Sequence, residues 1–152
     1  VPNNVYIGGP RRPLIVKLPV ASSMLPATAV VARDFAFFQA ESVSGRVCLL
    51  GFRDYFGANF TGINGPDMDR YQSYSFAGGD AAQAYVLEPG QRFLWAVAAG
   101  TYNTGHEMTI GASGRLTAAT FGQTVVAHLL EAGSKGAGDR VPAEVVSFYK
   151  RY

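Results

Sequence analysis

The sequence predicts a mainly β fold, a single-domain β-sandwich or β-barrel with an extended N-terminal arm. Three observations predict it. Short apolar runs recur along the chain, alternating or wholly apolar, and Val far outnumbers Ile. Turn residues, drawn from 18 Gly and 8 Pro, interrupt these runs at short intervals. No segment carries a sustained apolar stripe at helical spacing with caps at its ends. The 152 residues amount to one domain, and a chain of this size buries roughly 68–70% of its unfolded surface. An apolar content of 48% excludes disorder as the overall state.

Residues 1–13 read as the arm and residues 14–152 as the β-rich body. The arm holds Pro2, Gly8, Gly9, Pro10 and Pro13 and shows no period. Its sizeable apolar side chains are Val1, Val5, Tyr6 and Ile7, too few to offset the entropy of ordering it. Backbone pairing or another chain therefore has to hold it. Strands are expected at Leu14–Leu18, Ala29–Arg33, Phe35–Gln39, Arg46–Phe52, Tyr71–Phe76, Tyr85–Leu87, Arg92–Ala98, Glu107–Ile110, Arg115–Ala118, Thr124–Leu130 and Ala143–Phe148. A turn of helix is expected near Pro66–Arg70, with Pro at its first position and Asp67 and Asp69 at its positive end. Glu88-Pro89-Gly90-Gln91 has the chemistry of a type II turn: Pro presets the second position and Gly supplies a positive φ at the third. Gly111-Ala112-Ser113-Gly114 is a four-residue hairpin loop. Tyr55–Asp69 is a long connection rich in Gly, Asn and Asp, and its Phe56, Phe60 and Ile63 are better suited to a partner than to water.

Charge narrows the function classes. Charged residues make up 16% of the chain, against about 25% in an average soluble protein. A free monomer needs a charged surface, so the deficit points to surface that other molecules cover. The net charge of +2 is too mild for a dedicated nucleic-acid binder. Residues 1–33 hold Arg11, Arg12, Lys17 and Arg33 and no acid, whereas residues 34–152 hold 9 basic and 11 acidic residues. Arg outnumbers Lys by 10 to 3, a bias that fits interfaces, and Arg11-Arg12 fits an acidic protein surface better than phosphate or solvent. Cys48 stands alone, which excludes an intrachain disulfide and a thiolate zinc site; it reads as a buried, inert thiol in a chain assembled in a reducing compartment. No apolar run reaches the length of a membrane helix, and the first residues carry no signal-peptide pattern.

The motifs of catalysis do not assemble. No G-x-S-x-G elbow and no phosphate-cradling P-loop occurs, and Gly136-Ala137-Gly138 lacks both a third glycine and a strand–turn–helix context. His106 and Glu107 are adjacent at the start of a strand, so they point to opposite faces and do not chelate together. His128, within Val125-Val126-Ala127-His128-Leu129-Leu130, reads as a hydrogen-bonded strand histidine rather than a ligand or base. Asp67 and Asp69 resemble a fragment of a calcium loop without its remaining ligands. Asn59-Phe60-Thr61 matches a glycosylation sequon by chance. Trp95 reads as core, and Tyr6, Tyr55, Tyr71, Tyr74, Tyr85 and Tyr102 are not interleaved with basic residues as base-stacking surfaces require. No catalytic, cofactor-binding or metal-binding residue is assigned.

The stretch Tyr85–Ala132 carries a resemblance. A Pro-Gly turn and a strand are followed by Gly105-x5-Gly111-x2-Gly114-Arg115-Leu116, then by Val125-Val126-Ala127 leading to Leu130-Glu131-Ala132. This pattern resembles the head decoration, or capsid cement, proteins of tailed bacteriophages. The resemblance implies a small, β-rich, non-enzymatic virion protein. It implies a homotrimer on the exterior of an icosahedral capsid, assembled in the host cytoplasm and clamping neighbouring copies of the major capsid protein, with no cofactor, nucleic-acid or membrane partner. The residues expected at inter-subunit contacts are Val5, Tyr6, Ile7, Arg11, Arg12, Phe56 and Phe60. The alternative is a glycan-binding β-sandwich module of a phage fibre or tail, favoured by the aromatics and the long Tyr55–Asp69 loop. A small β-barrel enzyme is a third reading, which a His–carboxylate pair in a concave pocket would favour.

Overall fold

The structure, a computed structural model, describes residues 6–9, 13–17, 23–25, 27–33, 36–51, 76–77 and 81–152. Among them the chain is mainly β, and two layers share one core. The first layer is a closed barrel of β2 (Pro13–Lys17), β4 (Ala29–Arg33), β5 (Ala36–Gln39), β6 (Val47–Leu50) and β8 (Ala81–Val86), in the order β2-β5-β4-β6-β8. A parallel contact between Lys17 and Ala36 closes it; its other pairings are antiparallel. The second layer is a six-stranded antiparallel sheet in the order β1-β9-β15-β13-β11-β12. Its members are β1 (Tyr6–Gly8), β9 (Arg92–Ala96), β11 (Glu107–Ile110), β12 (Leu116–Ala118), β13 (Thr124–Leu129) and β15 (Arg140–Lys150). Two short pairs complete the described strands: β3 (Ser23–Met24) with β7 (Phe76–Ala77), and β10 (Gly100–Tyr102) with β14 (Gly133–Lys135).

The unbroken apolar run Val47-Cys48-Leu49-Leu50 follows from this layering. Every residue of β6 is buried, because side chains alternate between two faces and both are covered. Val47 and Leu49 join Ala29 and Tyr85 in the core shared with the sheet. Cys48 and Leu50 lie opposite Val30 and Ala84 on the alternate face, inside the barrel. The Cys48 thiol is pushed up to about 11 by burial, against a smaller opposing pull from Arg46, so it stays protonated at neutral pH. The sheet contributes Phe93, Trp95, Met108, Ile110, Leu116, Ala127, Leu129, Val141, Ala143 and Val145, all buried.

The layers are joined by backbone, and strain gathers at the joint. Ala27, buried and at φ 65°, donates its N–H to Leu50 O of the barrel (2.8 Å). Its carbonyl accepts the N–H of Ala96 of the sheet (2.9 Å). Among the described residues the second non-glycine residue with positive φ is Ser113 (φ 60°), in the 3-10 turn Ala112–Gly114. Its N–H donates to Glu41 Oε2 and its carbonyl accepts from Gln39 Nε2. Gly114 follows at φ +69°, where a Cβ would stand 2.7 Å from the Ala29 nitrogen, and its carbonyl accepts the indole N–H of Trp95 (3.3 Å). Conformations of this kind persist only where surrounding contacts over-determine them.

Several sequence expectations reappear. Gly90 sits at φ 90° and Gln91 N–H bonds Glu88 O, which is the type II turn. Met108, Thr109 and Ile110 pair with Ala118, Thr117 and Leu116 across the Gly111–Gly114 loop. β15 is longer than Ala143–Phe148 because Pro142 does not interrupt it: its carbonyl accepts Leu130 N–H just beyond the end of β13, where a missing donor matters little. Residues 6–8 of the expected arm are an edge strand, pairing Tyr6 with Phe93 and Gly8 with Arg92 of the same chain. Backbone pairing within the chain thus holds this part of it. The expected helix at Pro66–Arg70, the loop Tyr55–Asp69 and residues 71–75 of the Tyr71–Phe76 strand lie outside the described residues.

Candidate interaction surface

Strand register builds a polar row on the outer face of the sheet. Glu144 lies opposite Arg92 on one side and His128 on the other, and His128 lies opposite Glu107. Directly opposed residues share a face, so one line of side chains crosses four strands: Arg92, Glu144, His128, Glu107. Arg92 Nε donates to Glu144 Oε1 at 2.9 Å. Tyr149 reaches into the row from the end of β15. Its hydroxyl donates to Glu107 Oε2 (2.6 Å) and stands 2.7 Å from His128 Nε2. Arg151 Nε completes the group with a 3.1 Å bond to Glu107 Oε1.

Proton counting fixes the roles. Tyr149 has one hydroxyl proton and gives it to Glu107, so His128 must donate from Nε2 to the tyrosine oxygen. The bond from Tyr149, then that from Arg151, holds Glu107 below its ordinary carboxylate range. Partial burial, reinforced by the bond to Glu107, pushes the Tyr149 hydroxyl up to about 12. The arrangement is a charge-compensated tie that fastens the end of β15 to β11 through Glu107. His128 and Glu107 meet through a tyrosine on an exposed strand face rather than directly. His106 is engaged elsewhere: its Nδ1 accepts Asn103 N–H at 3.3 Å and its ring meets Tyr102 edge-on.

Beside this tie stands an aromatic projection. Along β15 buried and half-buried residues alternate as far as Val145, after which Ser147, Phe148, Tyr149 and Lys150 are all exposed. The change coincides with an irregularity in the β13–β15 register between Val125 and Ala127. The turn joining β12 to β13 is fastened to this strand end. Thr120 N–H donates to Gln123 Oε1 (2.8 Å), and Gln123 N–H donates to Thr120 O (3.0 Å). Gly122 (φ +84°) donates to Arg151 O (2.7 Å), and Arg151 N–H donates to Gln123 O (2.9 Å). Phe121, at the tip, is 78% exposed and meets the 88% exposed Tyr152 edge-to-face, with ring centroids 6.1 Å apart. Phe148, 46% exposed, is a further large apolar side chain of this strand end.

Of the residues expected at inter-subunit contacts, Tyr6 and Ile7 lie in β1, paired to β9 of their own chain. Val5, Arg11, Arg12, Phe56 and Phe60 lie outside the described residues, as do Asp67, Asp69 and the Asn59 sequon. His128 is a hydrogen-bonded strand histidine. Trp95 is buried core. Among the described residues no group of three or more His, Cys, Asp or Glu side chains is placed to hold a metal ion, and no helix is long and apolar enough to cross a membrane. Sequence reasoning missed Phe121 and Tyr152, and it missed the tie among Glu107, His128, Tyr149 and Arg151. The one available signal was a bulky aromatic inside the polar turn Thr120-Phe121-Gly122-Gln123. The chain matches no protein-family model and no curated protein.

Proposed function

We propose that this protein is a head decoration protein of a tailed bacteriophage. In this reading it sits as a homotrimer on the exterior of the icosahedral capsid and cements neighbouring copies of the major capsid protein. Three observations support it: the resemblance of Tyr85–Ala132, the charge content of 16%, and the aromatic projection at Phe121 and Tyr152. The projection carries the most weight. Large aromatic side chains held in the open by a fastened turn are suited to burial against another molecule, and aromatics are enriched where interfaces gain their energy. The polar row beside it has its charges paired within the chain, so it contributes shape more than chemistry.

The mechanism is linkage. A protein that binds the assembled shell and not its dispersed subunits stabilises the shell, and many equivalent copies multiply the effect. A trimer adds avidity, since three modest contacts act at high effective concentration. The test is the thermal rupture of shells built from the major capsid protein of the same phage, with and without this protein. Rupture temperature rises on addition and falls back when the protein is stripped. An unchanged rupture temperature at saturating protein overturns the proposal.

A further inference from the structure

We infer that the Thr120–Gln123 turn and the end of β15 are the face that grips the major capsid protein, and that they grip an apolar pocket rimmed by carboxylates. The inference rests on the decoration reading and names the surface and the partner chemistry within it.

The shape is that of a knob. Phe121 projects from a turn tied by four hydrogen bonds, two within the turn and two to Arg151. Little conformational freedom remains for the backbone to lose on docking, which is the advantage of a preorganised anchor. Its ring touches the ring of Tyr152 edge-on, so the pair enters a pocket as one unit. The charge beside the knob is cationic by one lysine, because Glu107, bonded to Arg151 and Tyr149, compensates Arg151. Residues 119–125 and 146–152 include Lys150 and Arg151 and no acid. Arg151 is held by Glu107, whereas Lys150 is exposed and forms no ion pair among the described residues. An aromatic centre with one exposed lysine at its border is complemented by an apolar pocket with carboxylate at its rim. Phosphate-rich partners are disfavoured, because one exposed lysine at this surface gives too few contacts to track a nucleic-acid backbone.

The experiment titrates undecorated shells of the major capsid protein with the wild-type chain, Phe121→Ser, Tyr152→Ser and Lys150→Glu, at low and high salt. All three variants keep the wild-type melting temperature, since the altered side chains are exposed. Phe121→Ser weakens binding about thirtyfold or more, the loss typical of a central anchor, and Tyr152→Ser weakens it in the same direction. Lys150→Glu weakens binding at low salt and removes most of the wild-type salt dependence. Wild-type affinity retained by all three variants overturns this surface and leaves the decoration reading standing. Failure of the wild-type chain to bind shells overturns both. Phosphatidylglycerol vesicles form a parallel arm: Phe121-dependent binding to vesicles and not to shells identifies a lipid partner and overturns the inference.

Discussion

The inner and outer faces of the six-stranded sheet are built from neighbouring residues on the same strands, yet they are held in different ways. On the inner face Phe93, Trp95, Met108, Leu129 and Val141 pack against the barrel and are removed from water. On the outer face, one residue along each strand, Arg92, Glu107, His128 and Glu144 form a row in which Arg92 pairs with Glu144 and Glu107 is compensated by Arg151. Burial on one side gives bulk stability, because the hydrophobic term grows with area and needs no geometry. The pairs on the other side contribute little each, since solvent screens them, but they fix where the end of β15 lies. The inner face thus makes the fold, and the outer face aims the projection attached to it.

The comparison breaks most sharply at Trp95. Trp95→Ala opens a cavity between the layers and strands the Gly114 carbonyl, so chemical denaturation should show a loss of about 3–5 kcal/mol. A loss below about 1 kcal/mol would mean that barrel and sheet do not share one core. A smaller effect belongs to the joint. Gly114→Ala adds a Cβ against the Ala29 backbone at a positive φ and should cost about 1–3 kcal/mol. Gly122→Ala is the control: its φ of +84° carries the same backbone penalty, but a Cβ there meets nothing within 4 Å. The difference between the two variants in the same denaturation assay isolates the contact, and equal losses would remove the joint from the account.

The smallest effect is at the tie. Tyr149→Phe removes the hydroxyl shared by Glu107 and His128, with a loss below about 1 kcal/mol at neutral pH because the site is exposed. Its signature is the pH profile. Glu107 binds its proton less tightly folded than unfolded, so its contribution is complete above the ordinary carboxylate pKa and is lost as pH falls through the depressed value. Tyr149 binds its proton more tightly folded than unfolded, so its contribution is complete below pH 10.0 and is lost as pH rises toward about 12. Stability measured against pH should therefore be flatter at both ends in Tyr149→Phe than in the wild-type chain. Superimposable profiles would show that the tie carries no proton linkage.

Much of the fold was legible in the sequence because its signals are local. The alternation in Arg92–Ala96, the type II turn at Pro89-Gly90 and the hairpin loop at Gly111–Gly114 each follow from neighbouring residues. β10 and β14 were not legible, since each is three residues long and opens on a glycine, too short for an alternation to show. β15 was shortened because Pro142 reads as a terminator until its partner strand is known to stop beside it. The surface was hidden for a different reason. Glu107, His128 and Tyr149 meet through the registers of three strands, and register is set by the whole sheet rather than by any short window. The disruption between Val125 and Ala127, beside the pairing of Val125 with Tyr149, has no sequence mark of its own.

The placement of β1 has a consequence for how the chain can be cut and made. Tyr6–Gly8 precedes every barrel strand in sequence, yet it borders a sheet whose other members come from residues 92–150. The barrel is therefore bracketed by pieces of its neighbour, and neither layer can be excised as a module. A fragment starting after residue 9 would leave β9 with a bare edge, open to pairing with strands of other molecules. During synthesis the residues of β1 emerge long before their partner exists, so the sheet gains this border only after β9 has been made, a route that favours slow and cooperative maturation over stepwise assembly.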